Sequence, residues 1–177
     1  TLWLYIIGAA KLFANLPYLY FMLFLIPMHH DLLSLVGRPY RYENSPGVDP
    51  HSEASNCQQS IHLAYLHRLG ITIPSGMWSK EIHDDETFIF QTVTQLKYEG
   101  DIAIFGPTNQ SNARLFHLTY YLGEGNLLHA NIVDKQVSVW PLAKFLQTPR
   151  YAELKRVKRL QPHLFNTQVL PIISKSC

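Results

Sequence analysis

The sequence predicts an α+β domain in which a helix bearing a cysteine packs on an antiparallel sheet bearing histidines. Three observations carry that expectation. One helix-like stretch opens at Asn56-Cys57-Gln58 and stops at Gly70. Short strand-like runs bounded by glycine come after it, first over residues 100–106 and then on both sides of Gly123-Glu124-Gly125. Finally, 177 residues with 47% hydrophobic and 16% charged side chains suit one cored domain with a small appendage.

Residues 1–28 are almost wholly apolar, with Lys11 the only charge, and Lys11 and Pro17 cut the run into pieces shorter than the about 20 residues a spanning helix needs. Two readings stand: a membrane anchor or uncleaved signal, or two short helices packed on the domain or a partner. The expected division is an apolar helical segment over 1–30, a catalytic domain over 31–165 and a tail over 166–177. Residues 37–50 are rich in turn formers and read as a loop. The helix comes next, with Ser55 as N-cap and Gln58 at the third helical position in a capping box. That places Cys57 at the second helical position, where free N–H groups and the helix dipole favour an anion. Ile61, Ala64, Tyr65 and Leu69 give the buried face. Residues 74–85 read as a loop, 87–96 as a short strand or helix, 100–106 as a strand and 107–113 as a polar loop.

The hairpin is the most legible β-structure. A three-residue loop with glycine last joins its strands. This register pairs Leu122 with Asn126, Leu118 with Ala130 and His117 with Asn131. One face then carries Phe116, Leu118, Tyr120, Leu128, Ala130 and Ile132, and the other carries His117, Thr119, Tyr121, His129 and Asn131. Residues 137–140 form a further strand, 142–146 a short helix, and 151–160 a last, basic strand that reads as a solvated edge.

A thiol at a helix start and two imidazoles on one hairpin face suit thiolate chemistry. A cysteine pKa of about 8.5 falls to roughly 3.5–7.5 beside a helix N-terminus or an imidazolium. In this scheme His117 takes the Cys57 proton or holds it as an ion pair. His129 hydrogen-bonds the other ring nitrogen and fixes the tautomer, and the Cys57 N–H is one oxyanion donor. Asn131, opposite His117, is the alternative third residue. No metal or other cofactor is expected, because neither His29-His30 nor His62 with His67 has the i, i+4 spacing of a helical metal pair. Cys57 and Cys177 are the only cysteines and read as free thiols. The net charge of +2 gives no reason to expect a nucleic-acid partner.

Gly37-Arg38-Pro39-Tyr40-Arg41-Tyr42, Asn56-Cys57-Gln58 opening a helix, Gly100-Asp101-Ile102-Ala103-Ile104-Phe105, His117-Leu118-Thr119-Tyr120-Tyr121-Leu122-Gly123 and Leu128-His129-Ala130 come in an order and spacing that resembles the NlpC-type cysteine peptidases. The resemblance covers roughly residues 33–160. It implies a papain-like fold and an activity that cleaves amide bonds, commonly in bacterial cell-wall peptides beside D-γ-glutamyl residues. It implies Cys57, His117 and His129 as the catalytic residues, with Tyr40, Tyr42, Asn56 and Gln58 against the substrate. The family pattern has Asp before the cysteine and Ser-Gly after it, where this chain has Asn56, Gln58 and Gln59. The Asp and Ser positions help hold the peptide's amine, so this departure bears on specificity. An Asn-Cys pair is also similar to acyltransferases of the lecithin:retinol type, although there the histidine motif precedes the cysteine.

The expected function is a thiol hydrolase acting on a peptide or amide substrate. The alternatives are an acyltransferase or thioesterase acting on lipid-like substrates, and a catalytically silent binding module. Membrane association would run through residues 1–28, and a membrane or cell-envelope location would fit that segment.

Overall fold

Asn56, not Ser55, caps the helix. In the computed structural model, helix α1 spans Cys57–Leu69, and the Asn56 side-chain oxygen accepts the Gln59 N–H at 2.8 Å. Cys57 is therefore the first helical residue and Gln58 the second, and the expected Ser55–Gln58 box does not form. The Ser55 backbone is used elsewhere, giving its N–H to Pro39 O and taking the Arg41 N–H, while its hydroxyl is buried without a hydrogen-bond partner. Gly70 ends the helix in the left-handed conformation that glycine adopts without steric cost.

The structure describes residues 32–42 and 53–163. The chain divides into two units, Thr1–Ser34 and Leu35–Cys177, and α1, the sheet and the candidate site all belong to the second. The apolar lead, the end of the loop before α1 and the C-terminal tail lie outside the described residues. No helix among the described residues is long and apolar enough to cross a membrane.

After α1 come helix α2 (Ser79–Asp84), strands β1 (Phe90–Val93), β2 (Ile102–Gly106), β3 (His117–Gly123), β4 (Asn126–Asn131) and β5 (Gln136–Pro141), helix α3 (Leu142–Gln147) and strand β6 (Glu153–Leu160). The six strands form one antiparallel sheet in the order β1-β6-β2-β3-β4-β5. This is the papain-like α+β arrangement, with α1 packed on β3 and β4. Residues 74–85 were expected to be a loop, but Ile82, fully buried, anchors α2 there.

The hairpin reaches the expected register by a different turn. Tyr120 faces Leu128 and Tyr121 faces Leu127, as the three-residue loop requires, but Gly123 pairs with Asn126 across a shift that leaves Leu122 extra. Glu124 and Gly125 both have positive φ, 50° and 75°, which suits a two-residue primed turn. Bulge and short turn together give the same inward phase as the expected loop.

Alternation across this sheet makes two cores. On the α1 face, Tyr120 meets Tyr65 edge-on with ring centroids 5.3 Å apart, and the Tyr65 hydroxyl donates to Gly100 O. On the opposite face Ala103, Phe105, Leu127, Trp140, Phe145 and Tyr151 form a second cluster. His117 pairs with Phe105 and so lies on this second face, which is a core layer. Ile132, expected on the apolar face, lies just past the end of β4 and is 48% exposed.

The basic closing strand is likewise interior, not a solvated edge, since β6 lies between β1 and β2. Lys158 is fully buried and donates to Asp85 O and to Glu86 Oε1. Arg159 holds both carboxylate oxygens of buried Asp101 at 2.7 Å, and Asp101 also accepts the N–H groups of Lys97 and Tyr98. A bidentate pair with added backbone donors satisfies the buried charge. The Gly100-Asp101 stretch thus ties the entry of β2 to β6.

Candidate active site

Three short segments converge at the N-terminus of α1. Residues 37–40 run beside the start of β5, with Tyr40 N–H donating to Lys135 O at 2.8 Å, and Tyr40 bridges to Ser55. The Asn56 amide donates to Tyr42 O at 3.2 Å. One asparagine thus caps the helix and ties the tyrosine segment to it. Gln58 turns to α2, where its amide donates to Ser79 Oγ at 2.6 Å, and its carbonyl accepts the Cys57 thiol at 3.1 Å.

Cys57, His117, Tyr40, Tyr42, Asn56 and Gln58 all line one cavity of about 610 Å³. Trp78 and Lys80 from the α2 region, Arg114, Asn131, Arg150 and Tyr151 complete much of its wall. His129 sits behind His117 and is not part of the lining.

The Cys57 sulfur is hydrogen-bonded by the backbone of Leu118, the residue after His117, which places the thiol against the start of β3. His117 Nε2 and His129 Nδ1 share a hydrogen bond of 2.8 Å, with the rings nearly perpendicular. This leaves Nδ1 as the His117 nitrogen not engaged by His129. The pair sits in an aromatic box. Tyr151 stacks on His117 at 4.5 Å, and Trp140 and Phe145 each lie 4.6 Å from His129.

Beyond His129 the polar chain continues. The Asn131 amide nitrogen donates to His129 Nε2 at 3.3 Å and to Asp134 Oδ2 at 3.4 Å. The Asn131 oxygen accepts the Asp134 N–H at 2.8 Å, and Trp140 Nε1 donates to Asp134 Oδ2 at 2.6 Å. Asp134, Trp140, Phe145 and Tyr151 were not expected at the site. Trp140 stands in a short apolar strand run, a weak signal, and nothing in the local sequence marks Tyr151.

The electrostatics correct one expectation. Burial raises the Cys57 thiol above its ordinary value, and the opposing backbone hydrogen bonds and the Arg150 charge do not overcome it. Burial also pulls His117 down to about 3, helped by the Arg150 charge. His129 is held well below its usual range by burial, then by His117 and Lys144. These directions bias the Cys57 thiol and both imidazoles toward their neutral forms, with desolvation opposing the helix start. Burial pushes Asp134 up, but the nearby Ser138 hydroxyl, hydrogen bonds from Trp140 and Asn131 and the Lys144 charge bring it net below the usual carboxylate range. Among the described residues no group of three or more His, Cys, Asp or Glu is placed to hold a metal.

Comparison with solved structures identifies the fold as that of the NlpC/P60 proteins. Similar structures include NlpC2 from Trichomonas vaginalis, 17% identical over 75% of this chain and 45% of that one, with a TM-score of 0.52. An NLP/P60 family protein from Staphylococcus aureus, described as similar to a lipoprotein, is 19% identical over 77% of this chain and 41% of that one, with a TM-score of 0.54. A Bacillus cereus NLPC/P60 family protein is 24% identical over 77% and 41%, with a TM-score of 0.50. The chain spans less than half the length of each of the three. No family model matches the sequence, and no curated protein does.

Proposed function

We propose that the protein is a thiol hydrolase that cleaves amide bonds through an acyl-enzyme on Cys57. The observation that carries this reading is the His117–His129 hydrogen bond beside a cavity-lining thiol. It supports Cys57 as nucleophile, His117 as proton partner and His129 as orienting group, the order that triad chemistry requires.

In the reaction, His117 Nδ1 takes the Cys57 proton as the sulfur attacks the carbonyl carbon. The carbonyl oxygen becomes an oxyanion, and the Cys57 backbone N–H at the start of α1 is a donor for it. Collapse breaks the C–N bond, and the proton on His117 passes to the leaving amine. Water then gives a proton to His117 and attacks the thioester, which releases the acid and restores the thiol. Because the resting pair is neutral, proton transfer accompanies attack instead of preceding it.

Position 56 carries an amide and not a carboxylate, and that amide is already committed to the helix cap and Tyr42. An amine-holding carboxylate at this position is therefore missing. Arg114, Arg150 and Lys80 outnumber Glu81 on the cavity wall. This balance favours a substrate whose acyl portion is neutral or anionic over one with a free amine beside the scissile bond.

The test is product analysis by mass spectrometry after incubation with defined cell-wall peptides, their amine-blocked forms and acyl-lipids. Hydrolysis of an amide by the native protein and none by Cys57→Ala is expected. Transfer or release of lipid acyl groups without amide cleavage would assign the acyltransferase or thioesterase chemistry instead. No product from either native or Cys57→Ala protein would leave a binding module, and cleavage that survives Cys57→Ala would remove Cys57 as the nucleophile.

A further inference from the structure

The hydrogen bonds behind His117 have a direction, and Asn131 sets it. Its oxygen is taken by the Asp134 N–H at 2.8 Å, so its amide nitrogen must face His129 Nε2 at 3.3 Å. The same nitrogen lies 3.4 Å from Asp134 Oδ2, an acceptor, which fixes the same orientation. A ring nitrogen that receives an N–H donor carries the lone pair, so the His129 proton sits on Nδ1. That proton is donated to His117 Nε2, and neutral His117 then carries its own proton on Nδ1. Read from Asn131 outward, every link donates toward the cavity. In this state His117 presents N–H at Nδ1, where the proposed reaction needs a lone pair.

We propose that Asn131 is a positioning residue that sets the proton direction of the His117–His129 pair, and that its carboxamide must turn over before His117 can take the Cys57 proton. The inference rests on the hydrolase reading of Cys57. Reversal is a tautomer exchange with no change in charge. Water in the cavity takes the His117 Nδ1 proton, the proton on His129 Nδ1 moves across to His117 Nε2, and water reaching His129 past Asn131, itself a cavity-lining residue, gives one to Nε2, so that one proton leaves the pair and one enters. The new His129 Nε2–H needs an acceptor, which Asn131 supplies only with its oxygen turned toward the ring. Turning it brings the amide nitrogen against the Asp134 N–H and breaks that hydrogen bond. Asp134 is fixed by Trp140 and does not follow. Asn131 therefore holds the resting thiol in its protonated, weakly nucleophilic form.

The charged and titratable groups facing the pair are Asp134 beyond Asn131, Lys144 on α3, and Arg150, Tyr151 and Cys57 on the cavity side. None of them is an acceptor hydrogen-bonded to His129 Nε2 in this arrangement, so reversal depends on Asn131.

The direct test is the nitrogen NMR spectrum of the full chain labelled in histidine, assigned with His129→Gln. At neutral pH, Nδ1 of both histidines should be protonated and both Nε2 atoms should bear lone pairs. A protonated Nε2 on His117 overturns the proposal. As a second readout, Asn131→Asp offers His129 an acceptor in either orientation. It should speed iodoacetamide alkylation of Cys57 at neutral pH by roughly tenfold, about the worth of one ordinary hydrogen bond, and move the alkylation profile to lower pH. Asn131→Leu, with neither donor nor acceptor, should fall between the two. If Asn131→Asp folds and alkylates no faster than the native chain, the proposal is wrong, and if it fails to fold the native spectrum decides. Loss of the hydrolase reading shows separately, as amide cleavage that survives Cys57→Ala.

Discussion

Acid should destabilise this fold well above the carboxylate range, because three of its histidines are buried uncharged. His62, His117 and His129 are 6%, 9% and 0% exposed. Burial pulls His62 down to about 4, partly offset by its hydrogen bonding to the Met77 and Ile73 backbone, and it pulls His117 to about 3 and His129 well down. In the unfolded chain each titrates near about 6.5. Below that value the unfolded state binds protons that the folded state refuses, so each group's stabilisation is complete above about pH 6.5 and is lost as the pH falls toward its folded value. Between pH 7 and pH 5 one such histidine removes about 1.9 kcal/mol, and three remove about 5–6 kcal/mol. That is a large part of a usual folding free energy of about 5–15 kcal/mol. Guanidinium unfolding followed by tryptophan fluorescence at the two pH values measures the difference directly. His129→Gln should shrink it by about a third even though it lowers stability at both. A native chain that loses less than about 1 kcal/mol over this range would refute the neutral, buried site.

Three further outcomes are expected from particular contacts. Asn56→Ala removes the helix cap and the tie to Tyr42 O, so it should cost about 1–2 kcal/mol in thermal or denaturant unfolding, whereas Asn56→Asp keeps the capping oxygen and should cost less. Asp101→Ala leaves Arg159 without its bidentate partner beside two orphaned N–H groups and should cost about 3 kcal/mol or more, read as a lower denaturant midpoint. Gly106→Ala puts a Cβ 2.9 Å from the Phe116 ring, a cavity-wall residue, so about 1–3 kcal/mol of lost stability should come with a change in substrate KM.

The fold class was readable because its strongest signals are local. Helix α1 has a capping residue, apolar spacing and a terminal glycine within one short stretch of chain. The hairpin has alternation strict enough to fix its phase, although a bulge at Leu122 and a primed turn replaced the expected loop. What stayed hidden depends on tertiary contact. Ser55 and Asn56 are both good caps, and the choice between them is made by the 37–42 segment, which takes the Ser55 backbone into a bridge. The basic run of β6 reads as exposed, yet Lys158 is buried because Glu86 and Asp85 O meet it from a distant loop. At the site, the cysteine and both histidines carry their own chemistry in the sequence. Tyr151 and Phe145 do not, since they act by packing on histidines that only the fold brings near, and Asp134 acts through Asn131, three residues before it in the turn after β4. The raised thiol has the same origin, because the helix start is a local feature and the burial that opposes it comes with tertiary packing.

The central claim is that Cys57 is the nucleophile and His117 its proton partner. It is tested most directly by acid-quenching the protein during turnover of a cleaved peptide amide and mapping the acyl adduct by mass spectrometry. An adduct on Cys57 alone is expected, with Cys177 unmodified as an internal reference, and its loss or strong slowing in His117→Ala. Turnover with no Cys57 adduct in a quench fast enough to trap a thioester, or an adduct that forms at the native rate without His117, would contradict it.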